Sequence, residues 1–246
     1  MSTVNKVHPV AIGREQGVSL IELLIGLAVG AIIAAGALTV FAKINFSGIE
    51  NVRMVRLNEQ LRSTLDVIHR DLQRAGYVNA WQAGDTTIAD LDFAAMNDFG
   101  TITLGGTCAD GDGDGADECD CITYNYDFDK DGALHLGGEE TFGFRLNANA
   151  VERDTVSATC AGGAGWQDAT DGEVTISALS FELDPGSTIV EVGNGNDDGI
   201  CEAGETCLAR RKINVVLEGE LSADSDFTVR MRDEIKVRND HYYTMP

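Results

Sequence analysis

Hydrophobic and polar positions divide this chain into three stretches of different texture. From Val18 to Ala42 the residues are apolar, with one charge, Glu22. A helix of about 20 apolar residues crosses a bilayer core, and a secretory signal's apolar stretch runs to only about 15, so the pattern predicts a retained membrane helix. Next, Ile49, Val52, Leu57, Leu61, Leu65, Ile68 and Leu72 recur at mostly three-to-four spacing among Arg, Glu, Asp and Gln. That spacing predicts an amphipathic continuation of the helix, from about Val18 to Ala75, stopped by Gly76. Beyond it the period shortens. The stretches 141–146, 173–183, 211–219 and 227–238 read as strands, and a meander of four or more antiparallel strands against the amphipathic half-helix gives an α+β fold.

Charge sharpens the boundary. Residues 1–76 carry eight Lys/Arg and six Asp/Glu, whereas residues 77–246 carry ten and 34. The expected organisation is a polar leader at 1–17, a membrane helix at 18–42, its amphipathic half at 43–76, and an acidic, glycine-rich head at 77–246 with long Asp/Gly-rich loops. A net charge of −22 argues against a nucleic-acid binder, because phosphate backbones are held by clustered Lys and Arg.

Glu22 stands five residues into the apolar run, where an ionised carboxylate is costly unless paired. It ends the sequence Gly17-Val18-Ser19-Leu20-Ile21-Glu22. This segment closely resembles the type IV prepilin processing signal: a short polar leader, a Gly, an apolar residue, then Ser-Leu-Ile-Glu heading an apolar helix. The stretch Gln60 to Tyr77, ending Arg70-Asp71-Leu72-Gln73-Arg74-Ala75-Gly76-Tyr77, is similar to PilW-type minor pilins and to the J-type pseudopilins of type II secretion, and the segment from Val229 to Asp240 again resembles PilW-type proteins.

The resemblance implies a pilin fold and a set of roles. Prepilin peptidase would cut between Gly17 and Val18, and Val18, where the family most often has Phe, would become a methylated N-terminus. Glu22 would meet the N-terminal ammonium of a neighbouring subunit. The protein would wait in the inner membrane, then join major and minor pilins in a filament or its tip-priming complex, with its head outside the cytoplasm. The alternatives are a J-type pseudopilin, or a membrane-anchored calcium-binding or adhesion module that does not polymerise. Counting Lys and Arg alone favours the opposite orientation, since Lys6 and Arg14 precede the apolar run while Lys43, Arg53, Arg56 and Arg62 follow it. The motif is more specific than that tally.

Three segments of the head place oxygen-bearing side chains at alternate positions before a glycine: Asp110-x-Asp112-x-Asp114-Gly115, Asp127-x-Asp129-x-Asp131-Gly132 and Asn194-x-Asn196-x-Asp198-Gly199. Such loops wrap a hard cation, so calcium is the expected cofactor. The third loop is the most complete, with Ile200, Glu202 and Glu205 at positions 7, 9 and 12. In the second, Gly138 takes position 12, with Glu139 and Glu140 just beyond, and a one-residue slip would let Glu139 supply the closing carboxylate. The first has Cys121 at position 12, with Asp117, Glu118 and Asp120 close by. Zinc is less expected, since oxygen donors dominate.

The six cysteines, at 108, 119, 121, 160, 201 and 207, all lie beyond the membrane helix and read as disulfides of an extracytoplasmic head. Cys201–Cys207 is the favoured pair, and Cys108 would join Cys119 or Cys121. The four histidines, His8, His69, His135 and His241, show no metal-site spacing, and His69 reads as a solvated or packing residue. No nucleophile elbow, zinc-protease helix or phosphate-cradling loop occurs, so the chain reads as a non-enzyme that works by packing and one ion pair.

Overall fold

The computed structural model describes residues 17–79, 98–111, 113–135, 139–156, 158–163, 165–184, 187–193, 196, 198, 200–222 and 224–244. Two compact units result, Met1–Val52 and Arg53–Pro246.

One helix, α1 (Leu20–Leu72), runs for 53 residues. In the first unit its apolar side chains are exposed, Leu20, Ile33 and Phe41 among them. In the second unit it turns one face inward. Leu57, Leu61, Ile68 and Leu72 are fully buried, with Met54 and Leu65 half-buried beside them. Spacings of three and four residues keep these positions on one side of the helix. The sequence pattern placed the start of this stripe at Ile49 and Val52, but both are exposed, and the packed face begins only at Met54. The last five turns of the helix thus belong to the head.

Gly76 ends the run. It adopts φ +76°, and an added Cβ would lie 3.1 Å from the Arg211 guanidinium, so both backbone and space call for glycine. The terminal carbonyls are capped from far along the chain: the Asn239 side-chain amide donates to the Arg74 and Ala75 carbonyls at 3.2 and 3.1 Å.

The strands are β1 (Ile102–Ala109), β2 (Glu118–Asn125), β3 (Thr141–Asn147), β4 (Ala150–Asp154), β5 (Gln167–Asp168), β6 (Val174–Leu183), β7 (Thr188–Gly193), β8 (Thr206–Arg210), β9 (Lys212–Leu221), β10 (Asp224–Lys236) and β11 (His241–Thr244). The main sheet runs β10-β9-β6-β2-β3-β4-β5, with β1 paired to β2, and a small sheet runs β11-β8-β7. All pairs are antiparallel. The four expected strands appear as β3, β6, β9 and β10. The single meander does not: the chain leaves β6 for the β7–β8 hairpin before returning as β9 beside β6.

In β9 burial alternates strictly, placing Ile213, Val215, Leu217 and Gly219 inward. They share one core with Leu57, Leu61, Ile68 and Leu72 of α1 and with Ile122, Tyr124, Phe144, Ile176 and Phe181 of the other strands. A Cβ on Gly219 would lie 3.1 Å from the Leu61 side chain, which is how closely α1 approaches β9.

Polar ties fix the helix to the sheet as well. Arg153 on β4 meets the buried Asp71 at 2.6 Å. His69 Nδ1 lies 2.6 Å from Asp233 Oδ2 on β10, while its Nε2 meets Gln73 at 2.8 Å. This corrects the reading of His69 as a merely solvated or packing residue. Both ring nitrogens are engaged, one by a residue 164 positions away that no local pattern reveals.

Candidate assembly helix and cation-binding loops

Gly17 and Val18 precede the helix, and Val18 is exposed. Ser19 occupies the position before the first helical residue, and its carbonyl accepts the Leu23 N–H at 3.1 Å. Glu22 falls in the first turn, where a carboxylate faces the positive end of the helix dipole. The residues expected to be cut, methylated and paired therefore stand together at one exposed helix end. Behind them, the 18-residue apolar window that qualifies the helix to cross a membrane has none of its residues buried.

The three acidic loops are all connections between paired strands. The first joins β1 to β2, the second joins β2 to β3, and the third joins β7 to β8. Disulfides sit at the bases of the first and third: Cys108–Cys119 bridges β1 and β2, and Cys201–Cys207 closes the end of the third loop. Cys121–Cys160 ties β2 to a later turn, a pairing that the cysteine spacing alone leaves open among many.

In the first loop Asp110 accepts the N–H groups of Gly113 and Gly115 at 2.7 and 3.3 Å, and Asp114 accepts that of Ala116. Asp112 lies outside the described residues. In the third loop Asn196 accepts from Asp198, and Asp198 accepts from Ile200. The nearly buried Glu205 accepts the Glu202 N–H at 2.8 Å. Asn194 again lies outside the described residues.

The second loop has the most developed geometry. Asp127 is buried, and its carboxylate accepts the N–H groups of Asn79, Lys130 and Gly132 at 2.8, 2.6 and 3.1 Å. It folds the loop and is not among the residues the structure groups for a metal. That group is Asp129, Asp131, His135 and Glu140, each offering one ligand atom, with those atoms all within 4.8 Å of one another. Glu139, expected to supply the closing carboxylate, is exposed and outside the group, while its neighbour Glu140 is buried inside it. His135, read from the sequence as lacking any metal-site spacing, belongs to it. The available signal was its position four residues after Asp131.

Sequence reasoning also missed Arg211. Its guanidinium is buried and donates to the carbonyls of Gly100 and, at 3.2 Å, Asn239. Burial pulls its pKa down to about 10, against a smaller opposing pull from Asp240. Arg211 and Asn239 together hold the end of α1 and the segment after β10.

Comparison with known proteins meets this geometry from two sides. No curated protein and no solved structure matches the chain. Residues 12–38 match the prokaryotic N-terminal methylation motif, spanning the Gly17–Glu22 segment and most of the exposed apolar stretch. Residues 50–237, about three quarters of the chain, match the family described as prepilin peptidase-dependent protein B. That match begins where α1 enters the head and ends beyond β10, so it covers the helix-on-sheet core and all three acidic loops. These are structural, pilin-type families and not enzymes. An exposed apolar helix behind a methylation motif, joined to a helix-and-sheet head of this kind, makes the chain a pilin-like protein of the prepilin peptidase-dependent protein B family.

Proposed function

We propose that the chain is a minor pilin of a type IV pilus, cut by prepilin peptidase between Gly17 and Val18 and assembled through α1 into the pilus or its tip-priming complex. The observation that carries this reading is the apolar first half of α1, exposed along its length behind a processing motif. A surface of this kind is covered by lipid before assembly and by the helices of other pilins afterwards. Transfer from one to the other is assembly, and it needs no turnover. The head is then extracytoplasmic, the compartment in which its three disulfides are stable.

Glu22 supplies register. Among the described residues it has no ion pair, and the bilayer or filament core penalises a lone carboxylate there. The methylated ammonium of an adjacent Val18 is a counter-charge of the right sign, present only when a neighbour sits at the correct axial offset. Glu22→Ala is therefore expected to leave cleavage and methylation intact and to lower incorporation into filaments at least tenfold, read by quantifying the protein in sheared pili against membranes. Unchanged incorporation contradicts the reading.

The third loop, Asn194, Asn196, Asp198, Ile200 and Glu205, is assigned to calcium, which would stiffen the β7–β8 hairpin for contact with neighbouring pilins or an adhesion target. The first loop, with Asp110, Asp112 and Asp114, is a weaker calcium candidate. Calorimetric titration of the full chain with calcium is expected to give heat whose tightest phase Glu205→Gln removes. No heat at millimolar calcium contradicts the assignment.

A further inference from the structure

The second acidic loop differs from the other two in bringing a nitrogen donor, His135, beside its carboxylates. Its first aspartate, Asp127, is occupied by three backbone N–H groups. What remains beside it is three carboxylates and one imidazole: Asp129, Asp131, Glu140 and His135. We propose that these four side chains form a binding site for a divalent transition metal of the zinc class.

Three observations support the site. The first is Glu140, whose side chain is only 3% exposed. Its Oε2 accepts the His135 backbone N–H at 2.7 Å, while its Oε1 is buried with no hydrogen-bonding partner among the described residues. An unpaired buried carboxylate oxygen is costly, and a metal ion both pairs it and neutralises it.

The second is spacing. His135 Nδ1 lies 3.5 Å from Glu140 Oε2, and Nε2 lies 3.8 Å from Asp131 Oδ2. Both distances are too long for hydrogen bonds. Two ligands each about 2.1 Å from a tetrahedral zinc stand roughly 3.4 Å apart, close to these separations. Either ring nitrogen can therefore serve, each with a carboxylate already beside it.

The third is how the aspartates are held. Asp129 accepts the Asp131 N–H through Oδ1 at 3.1 Å, and Asp131 accepts the Ala133 N–H through Oδ1 at 2.8 Å. Each carboxylate is oriented by the backbone through one oxygen, leaving Oδ2 for a metal. This is the outer support that orients ligands in metal sites. The imidazole selects the ion class, because calcium and magnesium take oxygen donors whereas zinc accepts nitrogen and oxygen together.

The site links the β2–β3 connection to the start of β3 at Thr141, one residue beyond Glu140. Occupation would fasten that loop to the head, whether or not the chain enters a filament.

The test uses the full chain in detergent, with disulfides oxidised, stripped by EDTA and titrated with zinc chloride against a chromophoric chelator. One zinc per chain is expected at the site. His135→Ala should weaken it at least about tenfold, and X-ray absorption should show imidazole scattering that the variant loses. His135 is more than half exposed, so this variant does not threaten folding, and circular dichroism verifies that. Glu140→Gln should weaken zinc as well. Zinc affinity unaltered by His135→Ala, or a zinc spectrum without imidazole, overturns the proposal. So does calcium that displaces zinc and binds wild type and His135→Ala alike, since the loop would then be an all-oxygen calcium site.

Discussion

Tyr124 is fully buried on β2, and its hydroxyl has no hydrogen-bonding partner among the described residues. Burial pushes its phenol well above the ordinary range, with the nearby Asp71 charge adding to the shift, and Tyr126 is raised for the same reasons. A folded pKa above the unfolded one means that stability is intact below pH 10 and is lost as pH climbs past it, because only the unfolded chain releases the proton. Arg211 works with the opposite sign. Its folded pKa, about 10, lies below the unfolded value, so its burial penalty is relieved as pH rises above 10. Comparing single variants separates the two effects. Tyr124→Phe is expected to be neutral or stabilising by about 1 kcal/mol at pH 7, because it deletes an unpaired hydroxyl. It should also lessen the loss of stability between pH 10 and 11, measured by urea unfolding at each pH. A loss of 2 kcal/mol or more at pH 7 would show that the hydroxyl is satisfied after all. At this scale the sequence was a partial guide. The Asp-x-Asp-x-Asp-Gly pattern located the second loop, yet the division of labour inside it depends on which acid is buried. Asp127 turns inward to hold backbone N–H groups, and Glu140, not Glu139, faces the cluster.

Among the elements, those with one strong period were legible. The burial of β9 follows its alternation residue by residue, and the buried face of α1 from Leu57 to Leu72 follows the helical period. What stayed hidden was β2, the strand that pairs with β1, β3 and β6. Its start, Glu118-Cys119-Asp120-Cys121, reads as the end of an acidic loop. In fact Cys119 and Cys121 are the buried members of a period of two, each committed to a disulfide, while Glu118 and Asp120 are only half-buried. The latter two serve backbone groups of the facing segment: Asp120 accepts from Thr107 and Glu118 from Gly111. Cysteine hid the pattern because a disulfide half counts as apolar only once its pairing is known. The ties between elements were equally opaque. Arg153 to Asp71 and His69 to Asp233 connect residues far apart in sequence, and nothing local to either partner announces the other.

For the molecule as a whole, one chain combines two surfaces with different solvents. The unit Met1–Val52 exposes an almost uncharged apolar helix, and Arg53–Pro246 buries a core of its own beneath a strongly acidic surface. This contrast was legible early, because hydropathy and charge are summed over long stretches and do not depend on which side chains meet. It is also the property on which the proposed transfer from membrane to filament rests. Cleavage between Gly17 and Val18 is the step on which that transfer depends. Intact-mass and N-terminal analysis of the native protein recovered from membranes tests this directly. A chain beginning at N-methylated Val18 is the predicted result. A chain still beginning at Met1, with the leader attached to the apolar helix, would contradict it.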